Sequence, residues 1–335
     1  MSMDWVDKDE YGVDACAWMG VPGYYGAGGV VSVLTGKDKE GNLVNPSGHA
    51  PDTFAASASS SAAYQNFGDA NCVVYKEGVY VGYKYYETRY EDCVLGQGNA
   101  DGTAGTYVNK SGWSYADEMG YPFGYGLSYT DFSQKIVDAK YNKDTDEYEV
   151  EVEVENTGSK DGKASIQVYV SAPYTQFDQA NGLGKSAIQL MGYEKVDVKA
   201  GQKVNKTVNF SRYFLTTYDS EVNKSYIWEG GDYYFGIGNG AHEALNNILS
   251  VKAAGASLVD HLGNSYTGKA DCVKKVTITQ DTKTYKKSVY NSDVEVTNQF
   301  EDADYNYYVD KNGSQPAITY LDRTNWQGTW PTKTT

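Results

Sequence analysis

Positive charge is in short supply in this chain. Its 335 residues carry 29 Lys and Arg against 44 Asp and Glu, a formal net charge of −15 at pH 7. Nucleic-acid backbones are bound by clustered cations, so that partner class is excluded. Histidine and cysteine are also scarce. His49, His242 and His261 are far apart, and Cys16, Cys72, Cys93 and Cys272 form no C-x-x-C pair. No metal-ligand spacing results, and no metal is expected. Buried thiols are the expected state of the cysteines, with a Cys72–Cys93 disulfide left open. No apolar run approaches the roughly 20 residues of a membrane-crossing helix, so no membrane partner is expected. The first residues, Met1 to Asp7, are acidic and lack a signal-peptide apolar core, which fits a cytoplasmic or cell-associated bacterial protein.

Catalytic signatures are missing as well. There is no G-x-S-x-G elbow, no H-E-x-x-H and no Cys–His pairing cue. The stretch Gly23 to Gly29, GYYGAGG, lacks G-x-G-x-x-G spacing and any P-loop Lys-Ser/Thr. No cofactor is expected.

Tyrosine and glycine are what the chain has, at 32 and 36 residues, beside only 7 prolines. Low proline and many aromatics argue against bulk disorder. Tyrosine-rich surfaces suit carbohydrate, because a ring face packs on sugar C–H groups while the hydroxyl stays polar. A tyrosine-rich β-protein with no such role is the plainer reading. From Ile136 to Val251 the pattern is an antiparallel sandwich. Tyr148, Val150, Val152 and Val154 alternate with Glu147, Glu149, Glu151, Glu153 and Glu155, the period-2 mark of a half-buried strand. The acidic row has no converging partners and reads as a solvated face. Ile166, Val168 and Val170 repeat the alternation, with Tyr169 on the other face. Further short runs near Val196, Val204 and Tyr233 bring the total to about seven strands, an immunoglobulin-like number.

The N-terminal part is less regular. Ala15 to Gly20 reads as a short buried strand, and Gly28 to Leu34 as a helix start. Ser57 to Ala63 reads as a low-complexity linker. Val73 to Tyr75 and Val79 to Tyr86 alternate like strands. Glu87, Glu91 and Asp92 form an acidic cluster expected to be exposed and to pair locally with Arg89. Gly96 to Gly112 reads as a long flexible loop reaching toward a neighbour or an active-site rim. Beyond the sandwich, Val276–Thr279 and Val294–Thr297 look like strands. Asp302 and Asp304 lack the glycine and distal glutamate of a calcium loop. Between the irregular part and the sandwich lies Tyr121–Thr130, YPFGYGLSYT. Pro122, Gly124 and Gly126 break its aromatic run, so it is a bent connector rather than a helix.

That connector resembles the join between the α/β-sandwich and fibronectin-like domains of glycoside hydrolase family 3, the β-glucosidase family. Two further stretches agree in order. Trp18–Gly23, Val33–Gly36 and Asn45–Thr53 resemble the end of the family's sandwich domain, and Glu77–Arg89 resembles the segment after it. Asn298–Asp304 and Tyr320–Pro331 resemble the passage into the catalytic barrel in members with reversed domain order. The resemblance implies a mainly β chain: an immunoglobulin/fibronectin III-like β-sandwich preceded by a remnant of an α/β sandwich domain and long loops. The implied division is 1–60 for the remnant, 61–132 for a linker with insertion, 133–252 for the fibronectin type III-like domain, and 253–335 for a β-rich extension leading toward a barrel. Met1 then looks like the start of a fragment or of a shortened gene.

The family hydrolyses β-glucosides with retention, using a barrel Asp and a sandwich-domain Glu. Neither motif maps onto this chain, so no catalytic residue is assigned. Tyr24 and Tyr25 stand where a strand's C-terminal edge would meet substrate, as substrate-binding candidates, although the family more often has a Gln-containing loop there. Trp18, Tyr121, Phe123 and Tyr125 are candidates for a domain interface. Two readings stay open. One is the non-catalytic portion of a family 3 enzyme that meets a β-glucoside or oligosaccharide through a barrel on another chain or a missing segment. The other is a stand-alone carbohydrate-binding or structural β-module. The oligomeric state is open in both.

Overall fold

The computed structural model describes residues 3, 5–6, 9–68, 73–279, 282–312 and 317–332. The chain opens irregularly. Ala15 to Gly20 forms no strand, and the first helix is α1, Gly26–Thr35. Gly36, at φ 71°, ends α1 in the left-handed turn that a glycine permits. Strand β1, Phe54–Ala55, follows. The serine-rich stretch after it is no linker. It winds into two short 3₁₀ turns, buries Ser60 and Ala62, and bonds Ser60 Oγ to Tyr86 Oη at 2.8 Å.

Val73 to Tyr75 is irregular, and Val79 to Tyr86 is a turn running into helix α2, Tyr83–Leu95. Alternation over those few residues mimics a strand. The longer run shows the helical period, since Tyr85, Tyr86, Arg89 and Tyr90 are all buried. Gly96 at φ 64° closes α2, with the Gln97 N–H donating to Asp92 O. The segment 96–112 is a chain of tight turns. Trp113 N donates to Asp101 O, and Ala104 N donates to the Gln327 side chain. The flexible-loop expectation is therefore corrected: the far end of the chain accepts from Ala104 N and donates to the Gly98 and Asn99 carbonyls of this loop. Helix α3, Tyr115–Glu118, capped by Ser114, leads into β2, Met119–Tyr121, which pairs with β1.

The sandwich follows. Strands β3, Phe132–Asn142, and β4, Glu147–Asn156, pair antiparallel. Next come β5, Gly162–Ser171; helix α4, Gln176–Ala180; β6, Gln189–Val198; and β7, Lys203–Ser211. Then come β8, Thr217–Asp219; β9, Ser225–Trp228; and β10, Gly231–Ile237. One sheet has the order β3-β4-β7. Its inner residues Val150, Val152 and Val154 have no exposed surface, and each buried valine contributes roughly 1.5–3 kcal/mol. The glutamate row on its outer face is half-exposed and laced to Lys135 and Lys203.

Chain beyond the sandwich consists of helix α5, Ala241–Lys252; the hairpin β11, Leu258–Val259, with β12, Ser265–Tyr266; and β13, Val273–Ile278. Strand β14, Lys283–Tyr285, helix α6, Tyr305–Asn312, and helix α7, Trp326–Thr329, complete it. Val294–Thr297 contributes only one bridge, Lys287 with Glu295. The second sheet has the order β13-β10-β5-β6, so it takes an edge strand from beyond residue 252. A small sheet β14-β9-β8 caps one end.

The stretch read as sandwich up to Val251 ends in a helix, and that helix matters. Helices α5 and α2 cover the outer face of the second sheet. Strand β5 is therefore buried on both faces: Ile166 and Val168 point into the sandwich, and Tyr169, also fully buried, joins the cluster beneath the helices.

Candidate functional site

The polar centre of the molecule sits on α2. Glu87, Glu91 and Asp92, expected on the surface around Arg89, are each about 1% exposed. Arg89 pairs with none of them. It donates to the carbonyls of Ala100 and Gly102 at 2.8 and 3.1 Å and to Tyr85 Oη at 2.9 Å. Its guanidinium lies 4.9 Å from the Trp113 ring centre and 5.7 Å from that of Trp330. The reason is helical geometry. Residues two apart do not share a face, so Arg89 points away from Glu87 and Glu91.

Glu91 and Asp92 find their cations elsewhere. Arg323 Nη2 donates to Glu91 Oε2 at 2.8 Å and to Asp92 Oδ1 at 2.5 Å. Its Nε donates to Asp92 Oδ2 at 3.2 Å, and its Nη1 to the Lys185 carbonyl at 3.1 Å. Lys252 Nζ, from α5, donates to Glu91 Oε1 at 2.8 Å. Trp326 Nε1, fully buried, donates to Asp92 Oδ2 at 2.8 Å. Burial works against ionisation of Glu91, yet Lys252 and Arg323 hold its carboxyl below the usual value. Burial pushes Asp92 up to about 6 against the pull of Arg323. Backbone bonds complete the seat. Leu321 N donates to Lys76 O, and Trp326 N to Gly98 O. Gly98 is at φ +58°, and a Cβ there would lie 2.0 Å from Arg323 O. The carboxy-terminal segment is thus clasped to α2.

Glu87 belongs to a second group on the same helix. It accepts from Tyr115 Oη at 2.5 Å and lies 2.9 Å from His242 Nδ1, while His242 Nε2 faces Val259 O at 2.9 Å. Tyr115 stacks on the imidazole with ring centres 3.7 Å apart. A third buried group joins Lys185 to Asp178 and Glu229, each at 2.7 Å.

A retaining glycosidase needs two carboxyl groups about 5–5.5 Å apart across a bound sugar, with room between them. The acids of α2 have side-chain or ion-pair partners on every carboxylate oxygen. They fasten elements of this chain to one another. Among the described residues no group of three or more His, Cys, Asp or Glu could hold a metal ion. Cys16, Cys93 and Cys272 are free thiols, and Cys72 of the suggested disulfide lies outside the described residues.

The candidates from the sequence are not gathered into one site. Tyr24 and Tyr25 stand on the turn before α1, 92% and 88% exposed, in edge contact with each other. Trp18 is half-exposed and meets Phe54 edge-on. Tyr121 and Tyr125 lie 5.7 Å apart beside His261. Phe123 stacks on Tyr83 at 4.7 Å, and its carbonyl accepts from Ala241 N at the start of α5. The connector is half-buried within this chain itself. Tyr115, His242, Lys252, Arg323 and Trp326 carried no local signal of their roles. Arg323 and Trp326 were legible only as part of the barrel-leading passage, which here folds back onto α2.

Comparison with known proteins agrees with this architecture. The family model described as "Fibronectin type III-like domain" matches residues 164–241. A β-glucosidase of Ruminococcus albus is 30% identical over 241 residues, covering 70% of this chain and 21% of its own length. β-Glucosidase A of Butyrivibrio fibrisolvens is 31% identical over 258 residues, covering 71% of this chain and 27% of its own. The solved β-glucosidase of Paenibacillus barengoltzii superposes with a TM-score of 0.57 at 27% identity, over 85% of this chain and 25% of that one. The chain spans about a quarter of the length of these relatives. It is homologous to the β-glucosidases of glycoside hydrolase family 3 across the part of them that carries the fibronectin type III-like domain.

Proposed function

We propose that this chain is the non-catalytic scaffold portion of a family 3 glycosidase, acting on β-glucosides or related β-glycosides through a barrel on another polypeptide or another part of its gene. The observation that carries the reading is the N-terminal surface. Helix α1, GAGGVVSVLT, buries none of its residues. Met19, Val21, Tyr24, Tyr25, Val31 and Leu34 are all more than half exposed. An apolar surface of that kind on an otherwise well-packed chain marks an interface. The resemblance supports the rest of an α/β-sandwich domain as the occupant of that surface. The carboxylates of α2, tied into the interior, support a structural role for the acids present.

The test is an aryl β-glucoside assay on the purified chain. Turnover should not exceed the buffer rate. Activity that survives repurification and disappears in Glu87→Gln or Glu91→Gln would overturn the reading. Oxidative footprinting should also show Tyr24, Tyr25 and Met19 becoming protected when a barrel-containing family 3 polypeptide is added.

A further inference from the structure

Three buried ionisable side chains meet beside helix α4, apart from both groups on α2. Thr175 caps α4, and its N–H donates to Asp178 Oδ2 at 2.7 Å. Leu183 N donates to Asp178 O, and Gly182, at φ +61°, turns the chain so that Lys185 comes back to Asp178. Lys185 Nζ donates to Asp178 Oδ2 and to Glu229 Oε2, each at 2.7 Å, and to Pro173 O at 3.0 Å. Glu229, between β9 and β10, also accepts from Thr175 Oγ1 at 2.9 Å. The side chains of Asp178, Lys185 and Glu229 are 0%, 9% and 6% exposed. Asp178 Oδ1 is buried with no hydrogen-bond partner among the described residues.

Charge does not balance in this group. Two carboxylates against one ammonium leave a net negative charge in the interior, and a buried unpaired charge is costly. Burial, with Asp178 beside it, accordingly holds the Glu229 carboxyl above its usual range against the pull of Lys185. One proton on the two acids removes the excess. A second, passed from Lys185 to Glu229, leaves an amine and two carboxylic acids with no charge at all. That neutral state is the reactive one for amide formation. Lys185 Nζ lies a hydrogen bond from Oδ2, hence close to Cγ, and Oδ1 is tied to no donor. Reactants fixed in this way behave as though present at about 10⁵–10⁸ M, which speeds a condensation that a free amine and acid hardly undergo in water.

We propose that Lys185 and Asp178 are joined by a side-chain amide that forms within the folded chain, with Glu229 as the proton carrier. Glu229 takes a proton from the Lys185 ammonium, and the freed amine attacks Asp178 Cγ. The Nζ–Cγ bond forms, the Cγ–Oδ1 bond breaks, and its electron pair leaves with Oδ1 as water. Of the three ammonium protons, one stays on the amide nitrogen, one leaves in the water beside the acid's own proton, and one remains on Glu229. Oδ2 becomes the amide oxygen and keeps the Thr175 N–H. The step needs no oxidant, cofactor or second chain, and it is independent of the glycosidase reading.

The experiment is mass spectrometry of the purified full chain, intact in denaturant and then digested with trypsin. The expected mass is that of the sequence less one water. Trypsin should fail to cut after Lys185, so that residues 164–195 appear as one peptide, one water light, with fragmentation placing the loss on the pair Asp178 and Lys185. Lys185→Arg keeps the cation without a condensing amine, and Glu229→Gln keeps the size without taking the proton; both should show the full mass. A native chain of full mass that trypsin cuts after Lys185 would overturn the proposal, and so would a water loss that maps to Glu229 or elsewhere. A folded Glu229→Gln chain that still loses the water would overturn the role given to Glu229. If either variant fails to fold, the mass and the peptide of the native chain decide by themselves.

Discussion

Replacing Arg323 by methionine should be among the most damaging single changes in this chain. The side chain is 3% exposed and donates to Glu91, Asp92 and the Lys185 carbonyl, with its guanidinium 4.5 Å from the Tyr174 ring centre. Methionine keeps most of the volume and removes the charge. Glu91 would retain Lys252, but Asp92 would keep only the Trp326 N–H. Breaking a buried pair by removing one partner costs about 3–5 kcal/mol, because the other charge stays buried. Urea unfolding at pH 7, followed by tryptophan fluorescence, should show a loss of that size. The deficit should shrink at pH 5, where the abandoned carboxylates take up protons. A triple variant, Glu91→Gln with Asp92→Asn and Arg323→Met, should recover most of the loss. Lys252, partly exposed, can turn its ammonium to water there. A deficit below about 1 kcal/mol at pH 7, the range of an exposed ion pair, would refute the argument. So would a deficit that does not change between pH 7 and 5.

The two clasp acids should give opposite pH dependences. Glu91 titrates below its unfolded value of 4.5 when folded, so its stabilisation is present above 4.5 and lost as pH falls through the folded value. Asp92 is raised from 3.8 to about 6, so its ionised form costs stability at pH 7 that is regained as pH falls through 6 toward 3.8. Urea midpoints measured from pH 7 to 3 should therefore rise and then drop. Asp92→Asn should remove the rise, and Glu91→Gln should blunt the drop. Gly124→Ala should destabilise by more than the roughly 1–2 kcal/mol of a left-handed backbone. Gly124 is at φ +79°, and its new Cβ would lie 2.1 Å from Gln167 Oε1 and 2.8 Å from the Tyr169 hydroxyl; calorimetry reads the loss. Tyr24→Ser with Tyr25→Ser should leave the stability of the chain alone within about 0.5 kcal/mol, as for surface positions generally. A larger loss by chemical denaturation would show that these rings pack inside the chain rather than at an interface.

The sandwich was legible from residue order alone. Alternation along β4 and β5 has one physical cause, a pleated strand with one face toward a core, and it needs no information from distant residues. The bend of the Tyr121–Thr130 connector was legible there too, since Pro122, Gly124 and Gly126 restrict or free the backbone locally. The state of α2 depends on contacts from distant parts of the chain. Eight residues from Val79 can be read as a strand, and tetrads of charge on a short segment look solvated wherever their partners are unknown. Those partners are Lys252 and Arg323, the latter more than 200 residues away in the chain. The same holds for the loop after Gly96, which reads as flexible until Trp326 and Gln327 are placed on it. Local patterns report which face of an element is apolar. Whether a charge is buried depends on a counter-charge that arrives from elsewhere, and no local pattern carries that.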